Sequence, residues 1–245
     1  MHLRSVGSTN TLALEAAQSG ATNGVWVADE QTAGRGRGGH SWHSVAGDGL
    51  YVSALVTPKL PMRLALWISL ATGLAVKQAV AEETGVNADI RWPNDLLADG
   101  KKFGGILVET AISPANAGGT DAALRHGVIG IGINLTHRAF PEAIQAVATS
   151  LSLAGGRPVR RGSLLMKLLQ SLDRELVLLE REGGSGLLER FSAGSSWVRG
   201  KRVRVEEAGG YEGVTAGLDA QGFLQVDGED GVRRTVLSGG VREPG

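Results

Sequence analysis

GKKFGGILVE, at residues 100–109, is the stretch that decides the fold of this chain. It predicts a strand in which two glycines follow shortly after Lys102. Glycines inside a strand commonly mark a place where a ligand or another backbone passes close by. GIGINL, at residues 130–135, repeats the pattern and ends its strand in Asn134. We therefore predict two glycine-bearing strands beside a gap, with Lys102 either an anion partner at its rim or a surface lysine at a hairpin.

Outward from these strands, the chain up to about residue 190 predicts an α+β domain. Strands are expected at residues 2–5, 24–30, 50–57, 88–92, 103–110 and 124–134. Helices are expected at residues 8–19, 61–84 and 162–182, the first capped by Ser8 or Thr9 and the second stopped by Gly85. SPANAGGTDAA, at residues 113–123, is predicted to be a polar hairpin loop.

The character of the sequence changes after Gly183. Short strand-like runs separated by glycine-rich turns occur at residues 203–207, 213–219, 223–227 and 234–241. Such spacing is typical of a small β-barrel. We predict two domains, at residues 1–190 and 191–245.

Composition narrows the class of protein. The chain has 42% hydrophobic residues and equal numbers of basic and acidic residues, 25 of each, which does not favour a nucleic-acid-binding protein. Strands begin at the first residues, so we expect no DNA-reading helix-turn-helix and no DNA partner. The absence of cysteine excludes disulfides and cysteine-based zinc sites. We see no apolar run of about 18 residues and no signal-peptide core, and expect a cytoplasmic protein with no membrane partner.

GRGRGGHSW, at residues 34–42, places Arg35 and Arg37 among four glycines. Glycines let backbone N–H groups approach an anion, and arginines add bidentate donors, so the loop suits a phosphate. Other interpretations are a dinucleotide fingerprint, an RNA-binding RGG segment and a solvated surface loop. The fingerprint should open a helix, whereas a strand follows here. His40 and His43 lack an acidic or cysteine neighbour, which favours ordinary loop histidines over a metal pair.

Two further motifs have a simple structural interpretation when each is taken alone. RWPND, at residues 91–95, fits the end of a strand, with a turn at Asn94 and Asp95. STN, at residues 8–10, fits the cap of a helix.

The set of motifs resembles the biotin protein ligase family. The matching pieces, in the family's order and with similar spacing, are STN at 8–10, QTAGRGR at 31–37, Trp42, LY at 50–51, WPNDL at 92–96, KFGGILVE at 102–109, GIGIN at 130–134 and the final SGGV. Each piece is weakly diagnostic by itself, whereas the ordered set is specific and covers essentially the whole chain. The resemblance is to the monofunctional type, without an N-terminal DNA-binding domain.

The resemblance implies a fold and a reaction. The fold is a mixed sheet with helices, related to class II aminoacyl-tRNA synthetases and lipoate ligases, followed by an SH3-like barrel. The enzyme would activate biotin with ATP and Mg²⁺, giving biotinyl-5′-AMP and pyrophosphate. It would then transfer biotin to a lysine of a partner, the carrier domain of a biotin-dependent carboxylase. A homodimer is one possible assembly.

The resemblance also implies roles for individual residues. Arg37 and Lys102 would be catalytic. Biotin would contact Ser8, Thr9, Asn10, Gln31, Gly34, Arg35, Gly36, Arg37, Lys102 and Gly105. ATP and the adenylate would contact Arg37, Trp42, Asp95, Lys102 and Asn134. The family's loop often carries extra basic residues where this chain has Gly38 and His40, which predicts a weaker hold on the adenylate. The rival interpretations are a lipoate-type acyl-adenylate ligase and a non-enzymatic adaptor built on an SH3-like barrel.

Overall fold

Two sheets organise the chain in the computed structural model, which describes residues 1–112, 122–207 and 209–244. The strands of the first sheet are β1 His2–Val6, β2 Gly24–Gln31, β3 Gly49–Val56, β4 Asp89–Arg91, β5 Asp95–Ala98, β6 Lys101–Ile112 and β7 Leu124–Asn134. The helices are α1 Thr9–Gln18, α2 Ala65–Thr84, α3 Glu142–Gln145, α4 Arg161–Glu182 and α5 Gly184–Gly194. The strands of the second sheet are β8 Arg199–Val205, β9 Tyr211–Leu218, β10 Leu224–Gly228, β11 Arg233–Val236 and β12 Val241–Arg242.

The first sheet is mixed, with the strand order β1-β2-β3-β7-β6-β5-β4. Only the β1–β2 pair is parallel, and the remaining neighbours run antiparallel. The predicted mixed sheet with helices is confirmed. The glycine-bearing strands β6 and β7 are central neighbours, and their register sets Gly105 opposite Gly132.

The two faces of this sheet are covered differently. On one face, α2 packs with the inward side chains of β3, β6 and β7 in the main core, and α4 covers α2 from outside. On the other face, α1 buries Ala13 and Ala17 against Trp26, Leu55 and Val128. This second core is much smaller, because α1 covers only the β2–β3–β7 side of the face. The rest of this face, formed by β6 and its neighbours, is left for the cleft described below.

Helix α2 corrects one expectation from the sequence. The segment Met62–Thr84 is long and apolar enough, by length and composition, to cross a membrane, so the statement that no apolar run reaches that length was wrong. In the fold, 67% of the most apolar 18-residue stretch of this segment is buried inside the protein. The helix is apolar on nearly all sides because it lies between the sheet and α4, as core helices do.

A buried carboxylate joins α2 to α4. Glu83 is 7% exposed and accepts hydrogen bonds from Lys167 Nζ at 2.8 Å and Ser163 Oγ at 2.6 Å. The hydrogen bond from Lys167, together with that from Ser163, lowers the pKa of Glu83 from 4.5 to about 2. Its contribution to stability is therefore present above the unfolded value of 4.5 and is lost as the pH falls toward 2.

We expect Glu83→Gln to lower the free energy of unfolding at pH 7 by about 2 kcal/mol, since hydrogen bonds to a charged group are lost. Chemical denaturation at pH 7 and pH 3 measures this, and the difference between the variant and the parent should shrink at the lower pH. Glu82→Gln is the matched control, because Glu82 is exposed on the same helix turn. An equal loss for both variants would contradict the assignment.

The turn after β4 differs from its prediction. The chain reverses over Trp92, Pro93 and Asn94, and Asp95 opens strand β5 instead of completing the turn. Asp95 pairs with Arg91 on β4 and with Gly105 on β6, so β5 is an interior strand of the sheet. Its last three residues, Leu96, Leu97 and Ala98, are all apolar and buried, so the sequence shows no alternation here.

The second domain is a five-stranded antiparallel sheet with the order β11-β10-β9-β8-β12, in agreement with the predicted SH3-like module. The boundary predicted at residue 190 falls inside helix α5, a helix that was not predicted from the sequence. The two domains are in contact: Trp92 Nε1 donates to the carbonyl of Gly222 at 3.0 Å, and Arg91 lies 5.3 Å from the ring centroid of Trp197. The loop predicted at residues 113–123 lies, for residues 113–121, outside the described residues.

Candidate active site

A row of glycines forms the floor of a cleft on the thinly covered face of the first sheet. Gly105, Gly130 and Gly132 share this face on β6 and β7. A Cβ added to Gly132 would lie 2.5 Å from Trp42 Cε2, and one added to Gly105 would lie 2.9 Å from Trp42 Cζ3. A Cβ at Gly130 would collide with the Asn10 amide. The close approach predicted from these glycines is present, and here the Trp42 indole and the Asn10 amide make it.

Lys102 reaches the same floor because strand β6 is irregular. Residues three apart in a regular strand point to opposite faces, so Lys102 and Gly105 should be separated. The register between β5 and β6 shifts between Leu96 and Leu97, and such a bulge turns a side chain to the other face. A Cβ at Gly105 would lie 3.4 Å from Lys102 Nζ. Lys102 is thus a cleft residue rather than a surface lysine.

Lys102 is held in the cleft by a partly buried acid. Its Nζ lies 2.5 Å from Asp95 Oδ1, and Arg91 Nη2 lies 2.6 Å from Asp95 Oδ2. Burial favours the neutral acid, but the charges of Lys102 and Arg91 outweigh it and lower the pKa of Asp95 below its ordinary value. Lys102 Nζ also lies 5.5 Å from the ring centroid of Trp42, within cation–π range. Asp95, which was predicted as a nucleotide contact, forms ion pairs with Lys102 and Arg91 in the structure.

A polar wall stands at the start of α1. Gln31 Oε1 accepts from the Thr9 amide at 2.9 Å and from Thr9 Oγ1 at 3.0 Å. Ser53 Oγ lies 2.7 Å from Thr9 Oγ1 and 2.5 Å from Asn10 Oδ1. Ser8 occupies the predicted N-cap position, but its side chain makes no capping hydrogen bond. The STN motif therefore lines the cleft in addition to starting the helix.

The loop of residues 34–42, which we call the lid loop, folds back on itself over the cleft. The Trp42 amide donates to the Gly34 carbonyl at 2.9 Å, and the Gly36 amide donates to the His40 carbonyl at 2.7 Å. A Cβ at Gly34 would lie 2.7 Å from the Trp42 carbonyl oxygen, so the two arms touch. The tip is a turn of 3₁₀ helix, Arg37–Gly39, and a strand follows it. The dinucleotide fingerprint is excluded, because that motif opens a long helix.

Both arginines of the lid loop are bonded across the cleft. Arg35 pairs with Glu109, whose other oxygen accepts from Asn10 Nδ2 at 2.9 Å. Arg37 Nη1 donates to Asn94 Oδ1 at 3.0 Å. The loop is therefore tied to the sheet and is not a solvated surface loop. Glu109 and Asn94 were not assigned from the sequence, although both lie inside quoted motifs.

A second, more apolar compartment continues from the first. Trp42 and Lys102 line both compartments, and the second is also lined by Ser41, His43, Asn134, Phe140, Ile144, Val147 and Ala148. Asn134 Nδ2 donates to the Thr149 carbonyl at 3.0 Å, which fixes the chain on the far side of this compartment. The segment from Phe140 to Ala148 could not be predicted as part of a site from the sequence, since it contains no recognisable motif.

The structure thus gathers most of the predicted residues around one cleft. Those lining the first compartment are Ser8, Thr9, Asn10, Gln31, Arg35, Gly36, Arg37, Trp42, Lys102 and Gly105. Gly34 supports the lid loop, Asp95 holds Lys102, and Asn134 lies in the second compartment.

Comparison with known proteins agrees with this arrangement. Residues 3–134, which contain the cleft except for the second compartment's outer wall, match the Biotin/lipoate A/B protein ligase family. The chain belongs to that family. Residues 199–241 match a further family description, the Biotin protein ligase C terminal domain, so the resemblance inferred from the motifs is confirmed at both ends of the chain.

Individual members of the family are similar over nearly the full chain. The biotin--[acetyl-CoA-carboxylase] ligase of Mycobacterium tuberculosis is 36% identical over 242 residues, covering 96% of this chain and 84% of that protein. The bifunctional ligase/repressor BirA of Bacillus subtilis is 32% identical over 236 residues, covering 94% and 69%. The biotin protein ligase of Aquifex aeolicus, solved in complex with biotin and ATP, superimposes with a TM-score of 0.81 at 28% identity, covering 100% and 98%.

Proposed function

We propose that this chain is a biotin protein ligase, which activates biotin with ATP to biotinyl-5′-AMP and transfers it to a lysine of an acceptor protein. One feature carries this proposal: a cleft in which a polar wall and a glycine floor meet three cations, Lys102 from the sheet and Arg35 and Arg37 from the lid loop. Family membership and the similarity to a ligase solved with biotin and ATP support it.

The polar wall suits the head of biotin. A ureido ring offers one carbonyl acceptor and two N–H donors, and such groups need partners when they are buried. The Thr9 hydroxyl donates to Gln31, and Ser53 bonds both Thr9 and Asn10, so these hydroxyl and amide groups are held in place at the wall. The apolar chain of biotin would then lie along the glycine floor, toward Lys102.

The cations suit the first chemical step. The biotin carboxylate attacks the α-phosphorus of ATP, the new C–O–P linkage forms, and pyrophosphate leaves with the electron pair of the broken P–O bond. Two unit charges at roughly 4 Å repel by about 4 kcal/mol at an effective dielectric of about 20. Lys102 from the sheet and Arg35 and Arg37 from the lid loop supply the opposing charge. The lid loop would also exclude water from the mixed anhydride.

The second compartment suits the nucleotide. Phe140, Ile144 and Val147 give it apolar walls, and Trp42 separates it from the biotin side. A purine ring is flat and largely apolar, so these side chains would contact its faces. Because Lys102 lines both compartments, the α-phosphate would sit beside it.

Magnesium is expected with ATP, and the chain offers little to bind it directly. Among the described residues, no group of three or more histidine, aspartate or glutamate side chains could hold a metal ion. Asp95 is a nearby carboxylate, and Lys102 and Arg91 already neutralise it. Mg²⁺ would therefore be held by phosphate oxygens, whose charge it would reduce.

The second step needs an acceptor amine. The lysine amine attacks the acyl carbon of biotinyl-AMP, an amide forms, and AMP leaves. The name of the Mycobacterium tuberculosis relative points to a carboxylase as the acceptor, and we propose a biotin carboxyl carrier domain. A cytoplasmic location and a homodimer stay predictions from the sequence.

Lipoate activation is the rival within the same family. The dithiolane ring of lipoate has no hydrogen-bonding groups comparable with a ureido ring, so it would cover the polar wall without supplying any hydrogen bond to it. The match of residues 199–241 to the biotin protein ligase C-terminal domain also favours biotin.

A direct assay tests the proposal. The chain is incubated with ATP and Mg²⁺ plus either biotin or lipoate, and pyrophosphate is measured, followed by mass spectrometry of a carrier domain. Pyrophosphate and acceptor labelling with biotin are expected. Turnover with lipoate alone would replace the proposed substrate.

The glycine floor gives a prediction of its own. Gly132→Ala should raise the KM for ATP about tenfold, because the new Cβ would lie 2.5 Å from Trp42 Cε2 and force the indole away. Gly127→Ala is the matched control on the same strand, since its Cβ would meet atoms at ordinary distances of 3.7 Å. Steady-state kinetics of both variants decide the point. An unchanged KM in Gly132→Ala would mean that the position of Trp42 does not matter for ATP.

A further inference from the structure

The second domain reaches the lid loop through one carbonyl group. Arg37 Nη2 donates to the Ser238 carbonyl oxygen at 3.2 Å, while Nη1 donates to Asn94 Oδ1 at 3.0 Å. The guanidinium is therefore held between the turn after β4 and the second domain. Since a guanidinium is planar and rigid, two such bonds fix its plane and its direction.

The Ser238 carbonyl lies in a connection that no strand pairing holds. Strand β11 ends at Val236 and β12 begins at Val241, so residues 237–240 must be held by other contacts. Glu207, just beyond the end of β8, supplies them: its carboxylate accepts from the backbone amides of residues 237, 238 and 239 at 2.9, 2.9 and 3.1 Å, and from the Ser238 hydroxyl at 3.2 Å.

These hydrogen bonds are charge-assisted, which makes them stronger than neutral ones. Burial would raise the pKa of Glu207, yet the amide donors of Ser238, Leu237 and Gly239 hold it below its ordinary value. The carboxylate is therefore ionised at neutral pH and gathers the turn around itself. Glu207 thus holds the turn that carries the Ser238 carbonyl.

We propose that Glu207 is a positioning residue for the reaction: by gathering the 237–239 turn it aims the Ser238 carbonyl at Arg37 and so holds the lid loop over the activated acyl group. Glu207 does not line the cleft, and it acts through Arg37. This inference rests on the proposed function. Its consequence is that the second domain contributes to retention of the adenylate, beyond any structural support.

The test follows the release of biotinyl-AMP formed from biotin, ATP and Mg²⁺ on the full chain. Glu207→Gln keeps the size of the side chain but replaces one acceptor oxygen by an N–H₂ group that faces amide donors. We expect it to release biotinyl-AMP about tenfold faster than the parent. Glu206→Gln is the matched control, because the neighbouring Glu206 is exposed and pairs with Arg242, 3.0 Å away. We expect its release rate to stay within about twofold of the parent's.

A double variant separates positioning from simple destabilisation. In the Arg37→Gly background, Glu207→Gln should change the release rate no further, since its effect passes through Arg37. A purely structural role would lower the melting temperature and add its effect regardless of Arg37. An unchanged release rate in folded Glu207→Gln, or an additive effect in the double variant, overturns the inference.

Failure of this inference can be distinguished from misfolding of the variant and from failure of the proposed function. If Glu207→Gln does not fold, Ser238→Ala removes only the hydroxyl donor, and we expect about threefold faster release; an unchanged rate overturns the inference. If the parent chain forms no biotinyl-AMP, the proposed function fails and the inference falls with it. If the parent forms it and the variant releases it at the parent's rate, only the inference fails.

Discussion

Replacing Lys102 with alanine is expected to slow the release of pyrophosphate from ATP and biotin by about 10²- to 10³-fold, the usual cost of removing a group that stabilises developing charge. Lys102 Nζ lies 2.5 Å from Asp95 Oδ1 and over the glycine floor at Gly105, where the carboxylate and the α-phosphate would meet. A methyl group at residue 102 leaves those two anions facing each other without this charge. The loss should appear in kcat as well as in KM, because the charge is needed most when the phosphorus is attacked.

Lys101→Ala is the matched control for this variant. Lys101 precedes Lys102 on strand β6 and is exposed, so its removal should leave pyrophosphate release unchanged. The melting temperature of Lys102→Ala should be measured as well, because Asp95 loses one of its two cationic partners. A folded Lys102→Ala variant with full activity would break the proposed mechanism.

Arg37→Gly is expected to let activated biotin escape. The guanidinium bonds Asn94 on one side and the Ser238 carbonyl on the other, and glycine removes both ties of the lid loop. Hydrogen bonds from a charged donor contribute about 1.5 to 3 kcal/mol each, so the loss of both should accelerate the release of biotinyl-AMP by about a hundredfold or more. Free biotinyl-AMP acylates exposed amines, and bystander lysines should therefore become labelled.

The measurement combines the release rate with labelling of a protein that has no carrier domain. Arg233→Gly serves as a control, because Arg233 is an exposed arginine paired with Asp227 in the second domain. Labelling of the bystander by Arg37→Gly but not by Arg233→Gly is expected. Equal retention of the adenylate by the parent and by Arg37→Gly would show that the lid loop does not depend on this residue.

Most of the secondary structure could be predicted from local patterns. Strand β7 and helix α4 agree with their predicted bounds to within one residue, because alternation and helical spacing are properties of neighbouring residues. Strand β5 and helix α5 were missed. The first has four residues, and the second begins with glycines that local propensity disfavours in a helix.

The candidate site was predicted in part. The ordered motifs named most of the side chains that line the cleft, since motifs record which residue types the chemistry requires. They named Asp95, which holds Lys102, as a nucleotide contact, and they did not name two other groups that hold these side chains. Glu109 binds Arg35 and Asn10, and Glu207 holds the turn that meets Arg37. Each of these pairings joins residues from separate elements.

By itself, the sequence determined the class of fold, the family and most of the residues that line the cleft. Glycine, arginine and lysine act through properties that each residue has wherever it lies. Only the tertiary structure decided how they meet. The register of β6 against β7 brings Gly105 beside Gly132, and the bulge beside β5 turns Lys102 onto the same face. Docking of the second domain then brings Ser238 to Arg37, 201 positions away along the chain. Such contacts depend on strand register and domain packing, which residue type and local spacing do not encode.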